Sequence, residues 1–236
     1  METAGRAARI DFKKFFGDFC GVLRSKRGDI PAILVFGVLL ALDLRAVLRS
    51  ARLLMPLHFL NSVVFLNGVL MVGYYAMLVG IYLTRSVAGV TTRLFLAKAI
   101  AFIATFLPFA VPMLSDSEPA GEINLIVSSL LLFFAMIFTV VALGSLGRNF
   151  SLIPQSRKLV TRGPYRLVRH PVYVGEILGA LGLTVWAASI AKTLVFLLLV
   201  GLEVYRALQE ETLLREVFPE YEEYAARTKR FIPGII

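Results

Sequence analysis

Long apolar runs separated by short charged segments set the pattern of this chain. Each run approaches the roughly 20 residues of helix needed to cross about 30 Å of hydrocarbon. Six spans are expected: about Ile30–Leu48, a stretch within Pro56–Leu83, about Leu94–Leu114, Ile123–Leu146, Val172–Ala188 and Ala191–Leu208. The first is the weakest, because Asp43 and Arg45 interrupt it, and five spans remain if it is re-entrant. Lys98 stands near the start of the third, the fourth carries no charge, and the last two form a tight hairpin. Hydrocarbon offers the backbone no outside hydrogen-bond partner, so each span must be helical. The expected fold class is therefore all-α, a polytopic transmembrane helix bundle with short cytosolic C-terminal helices.

Composition sharpens this picture. The 236 residues are 58% hydrophobic and only 17% charged, with a formal charge of +9. The bases gather between apolar runs, where anionic headgroups and the positive-inside rule account for them, so nucleic acid is not an expected partner. Ser115–Glu122 holds Asp116, Glu118 and Glu122 and no base, whereas Gly147–His170 holds six bases and no acid. The first loop is thus outside, the second cytosolic, and six spans place both termini in the cytosol. Arg49 and Arg52 run against this scheme, since they would lie outside. Residues 1–29 mix bases with Phe12, Phe15, Phe16 and Phe19 and read as an amphipathic segment on the cytosolic surface, or as a basic tail. No cleavable signal peptide is expected there. Residues 30–142 form the N-terminal helices and 143–236 the region that carries the chemistry. Cys20 as the sole cysteine, with only His58 and His170 as histidines, argues against a disulfide or a metal centre.

Two polar constellations stand out. The basic connection from Gly147 turns at Gly163-Pro164 and enters a helix at Pro171, whose missing N–H suits a first helical turn. Its arginines are also what the positive-inside rule alone would require. Farther on, Arg206 and Glu210 lie four residues apart, share a helix face and can pair, with Glu211 adjacent. Glu176, one turn into the fifth span, needs a polar cavity or a basic partner. Gly175, Gly179 and Gly182 fit close helix packing. Lys192 reads as a snorkelling residue at the outer turn. After Arg206 the helix should run into the cytosol, break at Pro219, and be followed by a second helix ended by Pro233.

These residues carry a resemblance. The stretch GPYRLVRHPVYVGE, Gly163 to Glu176, resembles the G-x-Y-x-x-x-R-H-P-x-Y-x-G motif of the isoprenylcysteine carboxyl methyltransferase family. Arg206, Glu210-Glu211, Phe218, Tyr221, Tyr224, Arg230 and Pro233 look like that family's C-terminal signature, whose paired glutamates phospholipid methyltransferases share. The resemblance implies S-adenosylmethionine as cofactor, enclosed between the Arg169-His170-Pro171 segment, the last spans and the C-terminal section. It implies that His170, Tyr173 and Glu211 hold the cofactor's polar groups, with Tyr165, Gly175 and Glu176 completing the pocket. Arg206 and Glu210 fall near the family's essential arginine and glutamate. The acceptor it implies is lipophilic, foremost the carboxylate of a prenylated cysteine or a similar lipid acid, with a phospholipid amine as alternative. A membrane sterol-type reductase using NADPH shares an R-H-P-like stretch, but its downstream signature is absent here. A membrane scaffold is the non-enzymatic alternative.

Overall fold

The computed structural model describes residues 29–51, 59–85, 90–114, 121–152, 155–156 and 158–235. Most of the N-terminal segment and of the acidic loop, with Arg52 and His58, lies outside them. Helices stand at all six expected places: α1 (Ile30–Ala51), α2 (Phe59–Thr84), α3 (Phe95–Phe106), α4 (Glu122–Leu146), α5 (Pro171–Trp186) and α6 (Ile190–Val217). A short α7 (Tyr221–Arg227) follows, and Val90–Thr91 pairs antiparallel with Gln155–Ser156. By length and apolar composition, Ile30–Ala51, Phe65–Thr84 and Glu122–Asn149 suffice to cross a membrane. Asp43 and Arg45 do not interrupt α1.

The third run departs from expectation. Its α-helix stops after 12 residues at Phe106, and Leu107–Leu114 tightens into 3-10 geometry. Pro108 and Pro112 fall in that segment and cannot donate to an α-helical ladder. The sixth helix continues beyond its span, as expected. It runs 28 residues, well past Leu208, and ends just before Pro219. At its start Ser189 accepts a hydrogen bond from the Lys192 amide, an N-cap. Lys192 itself is 2% exposed, so it does not snorkel. The cause is packing, since α3 and the 3-10 segment lie against α6.

The outer faces carry the membrane argument. Only Phe36 of α1 is buried, while Leu34, Leu42, Phe95, Phe134, Leu194 and Leu197 are exposed on their helices. An apolar surface of this extent has no place in water. The protein is an integral membrane protein. Inside, Phe36, Tyr75, Leu78, Leu143, Val172 and Ala207 belong to one core cluster.

The closest approach is α5 on α4. A Cβ on Gly175 would lie 1.9 Å from Thr139 Oγ1 and 3.2 Å from the Ala135 carbonyl oxygen, whereas one on Gly179 would meet nothing nearer than 3.9 Å. Gly175→Ala is therefore expected to cost about 1–3 kcal/mol through overpacking. Gly179→Ala should stay within about 0.5 kcal/mol. Thermal unfolding of the two variants in one detergent checks the contrast, and equal Tm values would refute it.

Candidate functional site

The site begins with the turn that precedes α5. Gly163 has φ +61°, and a Cβ there would lie 2.7 Å from Ser145 Oγ, so glycine is required on both counts. From it Gly163–Arg166 makes one 3-10 turn, and Pro171 opens α5 as the sequence suggested. The intervening residues are held by the C-terminal tail. Val168 bridges Lys229 in parallel, the Arg169 amide donates to the Lys229 carbonyl at 2.8 Å, and the His170 amide to the Arg230 carbonyl at 3.2 Å. This pairing corrects the expected end of the last helix. α7 stops at Arg227 instead of running to Pro233, because the chain turns extended at Thr228 to meet the Arg169–His170 turn.

Glu211 locks that junction from the helix side. It is fully buried and accepts a two-pronged bond from Arg230, 2.9 Å from Nε and 2.8 Å from Nη2. His170 Nε2 lies 3.1 Å from Oε1, Arg169 Nε 3.3 Å from Oε1 and Arg215 Nη2 3.5 Å from Oε2. Burial opposes its charge, but the hydrogen bonds from Arg230 and His170 and the surrounding positive charge prevail and hold its carboxyl well below the usual range. Tyr224 adds a further tie, donating to the Tyr165 carbonyl at 2.7 Å.

Glu210, one residue earlier, points elsewhere. Its Oε2 accepts from the Tyr173 hydroxyl at 2.9 Å, and Tyr173 stacks on the His170 ring with centroids 5.3 Å apart. Glu210, Tyr165, Arg169 and His170 line two adjoining cavities of about 460 and 480 Å³. Asn149, Phe150 and Ser151 close the first, while Lys158, Tyr221 and Tyr224 close the second. Burial, and then the Glu210 carboxylate, push the Tyr165 phenol well above its usual range, so it faces this chamber uncharged. Two buried oxygens among the lining residues, Ser151 Oγ and the Tyr221 hydroxyl, have no hydrogen-bond partner among the described residues.

Arg206 does not pair with Glu210. Instead its Nη1 donates to both oxygens of Glu203, at 2.8 and 2.9 Å, and to Glu176 Oε2 at 3.2 Å. The i−3 partner wins because α5 brings Glu176 to the same side, while Tyr173 draws Glu210 away. The guanidinium lies over the Tyr173 ring, 4.6 Å from its centroid, and Nη2 reaches the Leu152 carbonyl at 3.3 Å. Its Nε is buried without a partner among the described residues. Glu203, fully buried, was missed in the sequence although its signal was there: a lone acid within LLLVGLEVYR, at a depth where charge needs a partner.

Beyond this cluster lies a third cavity of about 770 Å³, mostly apolar, with Phe36, Met71, Leu132 and Leu183 among its walls. Glu176 is the charged residue in its lining, and Gly175 borders it too. The sequence-selected residues thus divide. Tyr165, Arg169, His170, Tyr173 and Glu210 surround the chamber. Glu211 and Pro171 brace it from behind, Glu176 and Gly175 face the apolar cavity, and Arg206 lies between the two.

Residues 123–221 match the phospholipid methyltransferase family. The cobalt-zinc-cadmium resistance protein CzcN of Cupriavidus metallidurans is 44% identical over 115 residues, covering 46% of this chain and 52% of that protein. A probable protein-S-isoprenylcysteine O-methyltransferase of Oryza sativa is 35% identical over 96 residues, 38% of this chain and 50% of that protein. The protein-S-isoprenylcysteine O-methyltransferase of Schizosaccharomyces pombe is 38% identical over 96 residues, 38% of this chain and 41% of its own length. The chain therefore spans about half the length of the relatives it matches. Among the described residues no group of three or more His, Cys, Asp or Glu is placed to hold a metal ion. Residues 123–221, which carry the first motif and the second as far as Tyr221, are thus similar to the phospholipid methyltransferase family, and a 96-residue stretch of the chain is similar to isoprenylcysteine methyltransferases.

Proposed function

We propose that this protein transfers a methyl group from S-adenosylmethionine to a lipophilic acceptor at the cytosolic face of the membrane. One observation carries the reading: Arg206 touches both Tyr173, which lines the polar chamber, and Glu176, which lines the apolar cavity. The chamber's unpartnered Ser151 and Tyr221 oxygens fit a ligand rich in polar groups. His170, Tyr173, Tyr165 and Arg169 would hold the donor, with Glu211 fixing the histidine and arginine from behind. When bound, S-adenosylmethionine supplies an electrophilic methyl on a sulfonium centre.

The side chains then have to align an acceptor and exclude water. Arg206, kept in place by Glu203 and Glu176, has a free Nε and so can orient a carboxylate head. This supports a lipid acid, such as the carboxylate of a prenylated cysteine, with its tail in the apolar cavity. Glu210 supports a second reading. It lines the chamber with its side chain 30% exposed and could take a proton from an amine head. Both termini would lie in the cytosol, on the chamber's side.

The test is incubation of the purified full chain in nanodiscs with methyl-tritiated S-adenosylmethionine and extracted lipids. Label should enter an organic-extractable product, released by base if it is an ester and retained if it is an N-methyl. Binding of NADPH with no binding of S-adenosylmethionine would favour the reductase reading and overturn this one.

A further inference from the structure

The N-terminal helices carry no motif of the family resemblance, yet one of them grips the chamber. At the cytosolic end of α2, Arg85 is 6% exposed and pairs through Nε and Nη2 with both oxygens of Asp29, the Nε bond being 2.9 Å. Its Nη1 donates to the Phe150 carbonyl at 3.3 Å, and its guanidinium lies 3.9 Å from the centre of the Tyr82 ring. The Leu152 amide donates to the Tyr82 hydroxyl at 3.1 Å, and Arg148 Nε donates to the Thr84 carbonyl at 2.6 Å. Three anchors from one helix end thus fix residues 148–152, a stretch without regular structure beyond Asn149. Ser151 sits between the Phe150 and Leu152 anchors, lines the chamber together with His170, and has a buried oxygen without a partner among the described residues. Leu152 also offers its carbonyl to Arg206.

We infer that Asp29, Arg85 and Tyr82 are positioning residues that hold residues 149–152 as a wall of the chamber, and that Ser151 is thereby set to hydrogen-bond the methyl donor. The inference rests on the methyl-transfer reading and assigns the N-terminal region a part in it. A buried hydroxyl left without a partner is costly unless a ligand supplies one. A short irregular segment can aim such a group only if its backbone is held at more than one point.

Equilibrium binding of tritiated S-adenosylmethionine to the full chain in nanodiscs tests it, with ligand-free Tm measured alongside. Ser151→Ala should raise Kd about two- to tenfold, the loss of one neutral hydrogen bond, while leaving the ligand-free Tm unchanged. Tyr82→Phe, which frees the Leu152 amide but keeps the ring, should raise Kd by a similar factor. Arg85→Lys, which keeps charge but loses the fork on Asp29, should do the same or more. The Tyr82→Phe, Ser151→Ala double variant should bind no more weakly than the weaker single one, because both act on one contact. Wild-type affinity in Ser151→Ala, or effects that multiply in the double variant, would overturn the inference and leave the methyl-transfer reading standing. Failure of the wild-type protein to bind the donor would sink both.

Discussion

Glu211→Ala is expected to lower stability by about 3–5 kcal/mol, the cost of removing one partner from a buried ionic cluster. The substitution strands His170 and Arg169 in the protein and releases Arg230, so the tail from Thr228 should detach from the Arg169–His170 turn. Limited proteolysis near Lys229 should accelerate together with the fall in Tm. Arg215→Ala removes only a half-exposed arm of the same cluster and should cost about 1 kcal/mol or less. Acid gives a second signature. The native state binds the Glu211 proton more weakly than an unfolded glutamate, whose ordinary value is 4.5. Its stabilisation is therefore complete above that pH and is lost as the pH falls through the lower native value. Glu211→Gln should flatten the acid limb of a Tm profile, and an unchanged limb would show that this carboxylate is not held as described.

Arg206→Ala should reduce methyl transfer by about 10²–10³-fold or more, the loss seen when a preorganised charged donor is removed from a dry site. It leaves Glu203 and Glu176 facing each other without a counter-charge and takes the cation from the Tyr173 ring. Some loss of stability will accompany it, so donor binding must be measured on the same preparation. Glu203→Gln is the sharper probe. It preserves an acceptor for the guanidinium and leaves Glu176 in place, and it should lower kcat with little change in donor Kd. Glu210→Gln separates the two acceptor classes. With an amine acceptor it should lower kcat about 10²–10⁴-fold, as expected for loss of a general base, whereas a carboxylate acceptor needs no such base. Transfer that survives both Arg206→Ala and Glu210→Ala would refute the assigned roles.

How much of this was legible in the chain divides along a physical line. Runs of apolar residues too long for a soluble core dictate helices, because a backbone in hydrocarbon must satisfy its own hydrogen bonds. The helix starts at Pro171, the turn at Gly163-Pro164, the stop before Pro219 and the small face of α5 followed from local chemistry in the same way. The 3-10 break after Phe106 was also readable, since Pro108 and Pro112 stood in the run.

The partners of the charges were not legible. Arg206 has Glu203 at i−3 and Glu210 at i+4, and helix geometry permits either. The choice was made by α5, which delivers Glu176 to one and Tyr173 to the other. The same holds for the tail beyond Arg227, whose backbone gave up a helix to pair with residues 60 to 61 positions earlier in the chain. Sequence by itself determined which segments are helices and which residues are costly enough to demand a purpose. Only the tertiary structure decided which of them meet, because pairing depends on the rotation and depth at which packed helices present their faces, and those are properties of the assembly.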